Sequence, residues 1–144
     1  MSYQYYIGID TGVNTGWCVW YKPKKFIRQL MTLSIHKAMK ELEAWQRVAP
    51  GQIFVRLEDA RLRTWIPKQK NEKAERGRRE GAGSVKRDAQ IWEDFLKDLG
   101  IAFELVAPKN NKTKVTADYF RKLTGYTERT NEHERDAAML VFGL

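Results

Sequence analysis

Apolar residues recur along this chain in two rhythms, and the switches between them set out the order of elements. From Tyr5 to Asp10 the run is aromatic and β-branched. A strand's period of two puts Ile7 and Ile9 on one face and Tyr6, Gly8 and Asp10 on the other. A polar, Gly-rich turn from Thr11 to Gly16 leads to a second apolar run, Trp17 to Tyr21, so a β-hairpin is predicted with Asp10 near its top. Lys25 to Leu33 follows a Lys-Pro-Lys turn and predicts a third strand, antiparallel to the second. The rhythm then changes: Ile35, Met39, Leu42 and Trp45 fall at helical spacing, behind a Ser34 cap and before Pro50-Gly51. That helix runs to about Val48, with His36 in solvent. Gln52 to Glu58 is a nearly continuous apolar run, which suits a strand buried on both faces in parallel pairing.

Residues 59 to about 82 show neither rhythm. Pro67, Gly77, Gly81 and Gly83 punctuate them, and the expectation is a loop that orders on nucleic acid. Helical spacing resumes at Val85, Ile91, Trp92, Phe95 and Leu99, with Ser84 as the cap and Gly100 as the stop. Ile101 to Val106 is a fifth strand. A second basic loop, Pro108 to Lys114, leads to a helix ending near Gly125. The last helix starts at Asn131, where Glu134 occupies the capping-box position.

Composition adds a partner to this outline. With 144 residues and 42% hydrophobic content, one globular domain with a real core is expected. The net charge is +8, which favours a polyanionic partner. The charge is concentrated: residues 61–87 hold ten Lys/Arg against three Glu, a net +7. The lone Cys18 lies in an apolar strand and rules out a disulfide framework. Neither a secretion-signal pattern nor a membrane-length apolar run is seen, so a cytoplasmic location is expected, or the host cytoplasm if a phage encodes the chain.

Candidate chemistry begins at Asp10. An acid where a core strand runs out is costly unless paired. Three readings suit it: a metal ligand for phosphodiester chemistry, part of a turn around ATP phosphates as in actin-like and sugar-kinase proteins, or a turn carboxylate bonded to nearby amides. Glu58 ends a second central strand, and adjacent strand ends would bring the two acids together around a cation. On the last helix His133 and Asp136 share a face with Leu140, so they point where apolar residues are expected. An inward acid and histidine, with two other inward acids, are better explained as metal ligands than as core residues. Oxygen-rich ligands favour Mg²⁺ or Mn²⁺. For DNA binding the candidates are Arg61, Arg63, Lys68, Lys70, Arg76, Arg78 and Arg79 in the basic stretch, and Lys109 and Lys112 in the second loop. Ser84, Lys86 and Arg87 at a helix start add a phosphate site. Trp65, with Ile66 beside it, either stacks on bases or packs back on the domain.

Four motifs in order carry a resemblance: Gly8-Ile9-Asp10-x-Gly12 with Thr15-Gly16, Leu57-Glu58, Ala107-Pro108 with the lysines after it, and Thr130 to Ala138. Together they resemble the RuvC-like Holliday junction resolvases of the ribonuclease H-like superfamily, in particular short phage-encoded members. The resemblance implies an α/β fold over residues 1–144. Its mixed five-stranded sheet has three antiparallel strands, then parallel ones, flanked by helices. It implies Asp10, Glu58 and Asp136 as metal ligands, His133 or Glu132 as a fourth, and two Mg²⁺ or Mn²⁺ ions per site. Lys112 or Lys114 matches the catalytic lysine, and Trp65 a wedge residue. A homodimer cutting four-way DNA junctions in pairs is implied. From the sequence itself its interface is expected at the helix from Val85 to Leu99, which follows the basic loop and carries Trp92 as exposed aromatic bulk. The alternatives are a nuclease on flaps, forks or RNA–DNA hybrids, and a non-catalytic branched-DNA-binding protein. The ATP reading needs two such domains, for which 144 residues are too few.

Overall fold

A computed structural model describes residues 2–63, 71–108 and 114–144, without the side chains of Arg78 and Ala82. Five strands form one sheet: β1 (Tyr5–Asp10), β2 (Asn14–Tyr21), β3 (Phe26–Ser34), β4 (Ile53–Glu58) and β5 (Ala102–Val106), in the order β3-β2-β1-β4-β5. β1, β2 and β3 are antiparallel neighbours, whereas β4 joins β1, and β5 joins β4, in parallel. The expected mixed sheet is therefore present. Among the described residues four helices flank it: α1 (Ile35–Val48), α2 (Glu72–Leu99), α3 (Ala117–Thr124) and α4 (Glu132–Val141), with one 3-10 turn at Ala60–Leu62.

Strand alternation gives the sheet two apolar faces. Ile7, Ile9, Val55 and Leu57 pack with Leu42 of α1 and with Trp92 and Leu96 of α2. Cys18 and Trp20 face the other way, toward Phe120 of α3 and Ala137, Ala138 and Val141 of α4. Each large side chain so buried contributes roughly 1.5–3 kcal/mol. Two glycines set the distance of α4 from the sheet. A Cβ at Gly8 would lie 2.1 Å from the Ala137 carbonyl oxygen, and one at Gly16 would lie 2.1 Å from that of His133. Only bare backbone fits there, so α4 rests directly on β1 and β2.

The structure corrects the reading of residues 71–84. Helix α2 begins at Glu72, twelve residues before Ser84, behind Asn71, whose side chain accepts from the Ala74 N–H. Its first half meets no apolar partner and so carries no apolar rhythm, although Gly77, Gly81 and Gly83 keep helical geometry. Ser84 is not a cap: it lies inside the helix and its hydroxyl donates to the Glu80 carbonyl. The phosphate site expected at Ser84, Lys86 and Arg87 is thereby overturned, because their amides belong to the helix ladder. The inward face is also rotated. Ile91 is 46% exposed, whereas Ala89, Trp92 and Leu96 are buried. Trp92 is core, not the exposed bulk of an interface. Among the described residues no helix is long and apolar enough to cross a membrane.

Candidate active site

Parallel register carries β1 and β4 out of the sheet together. Ile9 lies opposite Leu57, so Asp10 and Glu58 emerge side by side. The Thr11 hydroxyl donates to the Glu58 carbonyl at 3.2 Å and ties the two strand ends. A hydrogen bond joins the two carboxyl groups themselves. The start of α4 is fixed by a complete capping box between Asn131 and Glu134, a motif whose cap residue contributes about 1 kcal/mol. The Asn131 side-chain amide also donates to the Thr32 hydroxyl of β3 at 2.8 Å, fastening the helix start to the sheet. Within the first turn, His133 Nδ1 lies 3.3 Å from Asp10 Oδ2. Lys114 enters from the segment before α3. Its ammonium pairs with Glu132 and lies 3.3 Å from Asp136 Oδ2. Asp10, Glu58, Arg63, Lys114, His133 and Asp136 thus line one open cleft of about 190 Å³.

Burial dominates the electrostatics. It pushes Glu58 up to about 8, helped by the hydrogen bond to Asp10 and by that neighbour's charge. Burial raises Asp10 as well, and the bond to Glu58 only partly offsets it. Burial also raises Asp136, with Lys114 opposing and Glu58 reinforcing. Burial alone would lower the Lys114 ammonium, but its contacts with Glu132 and Asp136 leave it raised. Two buried acids in contact cannot both ionise cheaply without a cation between them. The three carboxylates are hard oxygen donors of the kind that suits Mg²⁺ or Mn²⁺, whereas the imidazole is a borderline nitrogen donor. Among the described residues no three His, Cys, Asp or Glu side chains are placed closely enough together to hold a metal ion as they stand. Lys114 supplies the positive charge at the Glu132–Asp136 side.

The expected DNA-binding residues divide into three sets. Trp65, Lys68, Lys70, Lys109, Lys112 and the side chain of Arg78 lie outside the described residues. Arg63, Arg76, Arg79, Lys86 and Arg87 are exposed. Arg61 is engaged elsewhere: its guanidinium bonds Asp59 at 2.8 Å and Glu93 at 2.7 Å. Burial would raise Asp59, yet its hydrogen bonds from Arg61 hold it below the ordinary range. Arg61 therefore ties the 3-10 turn to α2 and leaves the set of free cations. His133 is 47% exposed, so it faces the cleft rather than the interior. Sequence reasoning missed Arg56. It sits two residues before Glu58 on the same strand face, and that alternation was its only signal.

No protein-family model and no curated protein matches this sequence. Solved structures do. RuvC of Thermus thermophilus in complex with a Holliday junction substrate superposes with a TM-score of 0.62 at 16% identity, covering 94% of this chain and 89% of that one. A second structure of Thermus thermophilus RuvC gives 0.54 at 16% identity, covering 94% and 90%. The chain has the ribonuclease H-like fold. Within that ribonuclease H-like sheet, Asp10 and Glu58 close the two adjacent central strands, and α4 brings Asp136 against them.

Proposed function

We propose that this protein is a metal-dependent, structure-selective endonuclease that resolves four-way DNA junctions by paired phosphodiester hydrolysis. The observation that carries the reading is the meeting of Asp10, Glu58 and Asp136 in one cleft from three elements far apart in sequence. The likeness to RuvC structures, one of them bound to a Holliday junction, supports it. Asp10, Glu58 and Asp136, with His133 as the added nitrogen donor, would hold divalent cations, which supply Lewis-acid stabilisation of charge on the phosphate. His133, half exposed beside Asp10, adds its nitrogen to that donor set, and the open cleft lets solvent take the proton of the attacking water and return one to the leaving O3′. The water oxygen bonds to phosphorus, the P–O3′ bond breaks, and a 5′-phosphate and a 3′-hydroxyl result. Lys114 neutralises charge that develops in the transition state. A homodimer provides two such sites, one for each nicked strand, so that protein symmetry mirrors junction symmetry.

The test is cleavage of end-labelled four-way junction, flap, fork, duplex and RNA–DNA hybrid in Mg²⁺ or Mn²⁺. Symmetric paired nicks in the junction are expected, with Asp10→Asn and Asp136→Asn each slower by at least about 10²-fold. Cutting of flaps or hybrids with the junction spared would replace the substrate and keep the site. Junction binding without cleavage in the wild type would make this a branched-DNA-binding protein.

A further inference from the structure

At the end of the sheet away from the acid cleft, β1 starts beside an open cavity of about 390 Å³. Tyr5 opens the strand that Asp10 closes roughly 17 Å further on, and by alternation the two side chains lie on opposite faces. Tyr5, Ala44, Trp45 and Val48 give the cavity apolar walls, joined by Arg28 and Glu41. Cross-strand register lines up four rings here. Phe26 lies against Tyr21 with centroids 5.6 Å apart, Tyr21 against Tyr5 at 5.1 Å, and Tyr5 against Trp45 at 4.7 Å. Phe26 is 40% exposed and the other three rings are half-buried. Trp45 is held in place: its indole N–H donates to Gln29 Oε1 at 3.0 Å, an atom that also accepts from Trp17, and Gln29 Nε2 donates to Glu41 Oε1.

Two irregularities of the backbone set cations beside this row. The turn from β2 to β3 presents Lys24 and Lys25, both exposed. Lys25 has a φ of +54°, a left-handed conformation that glycine or asparagine adopts with less strain. Arg28 is the extra residue of a bulge: Val19 pairs with Gln29 and Trp20 with Ile27, which leaves Arg28 unpaired on the strand and exposed at the cavity. Among the described residues the side chains of Lys24, Lys25 and Arg28 form no ion pair. Lys22 does not join them, because its ammonium sits over the Tyr6 ring on the other face.

Unpaired cations along a row of rings, with an open cavity at one end of the row, match a polymer that alternates phosphates and bases. We propose that this face binds single-stranded nucleic acid, with phosphates on Lys24, Lys25 and Arg28 and an unstacked base in the cavity against Tyr5 and Trp45. Cations track the backbone and aromatic side chains receive bases of any sequence. A duplex keeps its bases inside and offers the cavity nothing. An acidic peptide suits the cavity less, because Glu41 on its wall repels a carboxylate. Among the described residues Glu41 Oε2 accepts from none, so it is left to accept from a base N–H. The site goes beyond the nuclease reading and does not require it, since it shares no residue with the acid cleft.

The test uses the full chain in EDTA and a fluorescein-labelled deoxycytidine decamer, read by anisotropy across a salt series. Binding is expected. Lys24→Gln, Lys25→Gly and Arg28→Gln made together should reduce the slope of log affinity against log salt by about 2, the single-strand scale for three phosphate contacts. This variant should melt no lower than wild type, because glycine adopts the turn conformation at residue 25 freely, so lost binding is not lost folding. A decamer of abasic deoxyribose phosphates should bind wild type about tenfold more weakly, the scale of one stacked base. Photo-cross-linking of a decamer with one 5-iodocytosine should attach it to Tyr5, Tyr21, Phe26 or Trp45. Attachment confined to residues 61–87 would overturn the site, as would an unchanged salt slope or a wild type that does not bind the decamer. Arg28-dependent binding of an oligoglutamate peptide ending in phenylalanine, with the decamer left unbound, would reassign the surface to an acidic protein. Junction cleavage is scored separately, so a failed nuclease assay leaves this site standing and a failed decamer assay leaves the nuclease standing.

Discussion

Glu58 shows how a single residue couples the fold to its chemistry. It is an acid that the sheet buries against another acid, and its carboxyl is pushed up to about 8. In the unfolded chain the same group titrates near 4.3. Between those values the folded protein holds a proton that the unfolded chain has lost, so metal-free stability is greatest below about pH 4.5 as far as this group is concerned. It then falls as pH rises toward 8 and levels above that. Asp10, raised in the same direction, adds to the slope. The expected outcome is a thermal midpoint of chelator-treated protein that drops from pH 5 to pH 8. Glu58→Gln, which has no charge to bury, should flatten that slope and gain a few degrees over wild type at pH 8. Mg²⁺ should raise the wild-type midpoint more at pH 8 than at pH 5, and the Gln variant should show little of that gain. Scanning calorimetry across pH with and without metal checks all of it. Asp10, Glu58 and Asp136 were legible because an acid inside an apolar pattern is costly and stands out. The partners of Lys114 and Arg56 were not, since Lys114–Asp136 and Arg56–Leu140 are tertiary contacts between elements that no local pattern links.

At the scale of elements, the site exists because α4 lies against bare backbone. Gly8→Ala or Gly16→Ala puts a methyl group 2.1 Å from a helix carbonyl oxygen, and neither the strand nor the helix backbone can yield cheaply. Each is expected to cost about 1–3 kcal/mol or more, the scale of overpacking. Each should also lower cleavage beyond that loss, because α4 carries Asp136 and His133 away from Asp10. Urea melts and single-turnover rates separate the two effects. The glycines of α2 predict the opposite. A Cβ at Gly77, Gly81 or Gly83 meets nothing within 4 Å, and their backbone is helical. Ala at each should strengthen the helix by about 0.5–1 kcal/mol, seen as greater ellipticity at 222 nm and slower amide exchange over residues 72–84. The same glycines explain why the first half of α2 was read as a loop. Gly punctuates most loops, and a helix with solvent on every side has no apolar stripe to reveal it. The signals present were Asn71 as a cap and the four-residue spacings Glu72–Arg76 and Glu75–Arg79, which support an exposed helix. The sheet, by contrast, was legible almost strand for strand, because both of its faces are apolar and each strand had to show it.

Taken as a whole molecule, the chain separates chemistry from charge. Asp10 and Glu58 stand at the ends of β1 and β4, whereas most of the net charge of +8 belongs to residues 61–87. The clustering of charge was legible in the sequence; that six of those ten cations lie in the first part of a helix of 28 residues, about 42 Å long, was not. On the first part of that helix Lys73, Arg76 and Arg79 are exposed. Side chains of this kind neutralise backbone phosphates, which carry affinity without sequence and release counterions as they bind. If the three engage DNA, replacing them together by Gln should reduce the slope of log affinity against log salt by about 2–3. Binding should weaken by a similar factor for junctions of every sequence. The position of the cut should stay as in wild type, since the proposed chemistry sits at the acid cleft. Binding titrations from 50 to about 200 mM salt, with cleavage mapping at matched occupancy, read the two responses separately. An unchanged slope would put the phosphate contacts elsewhere on the molecule. A shifted cut would mean that the helix also sets where the strand enters the site, joining two tasks that the fold holds on different elements.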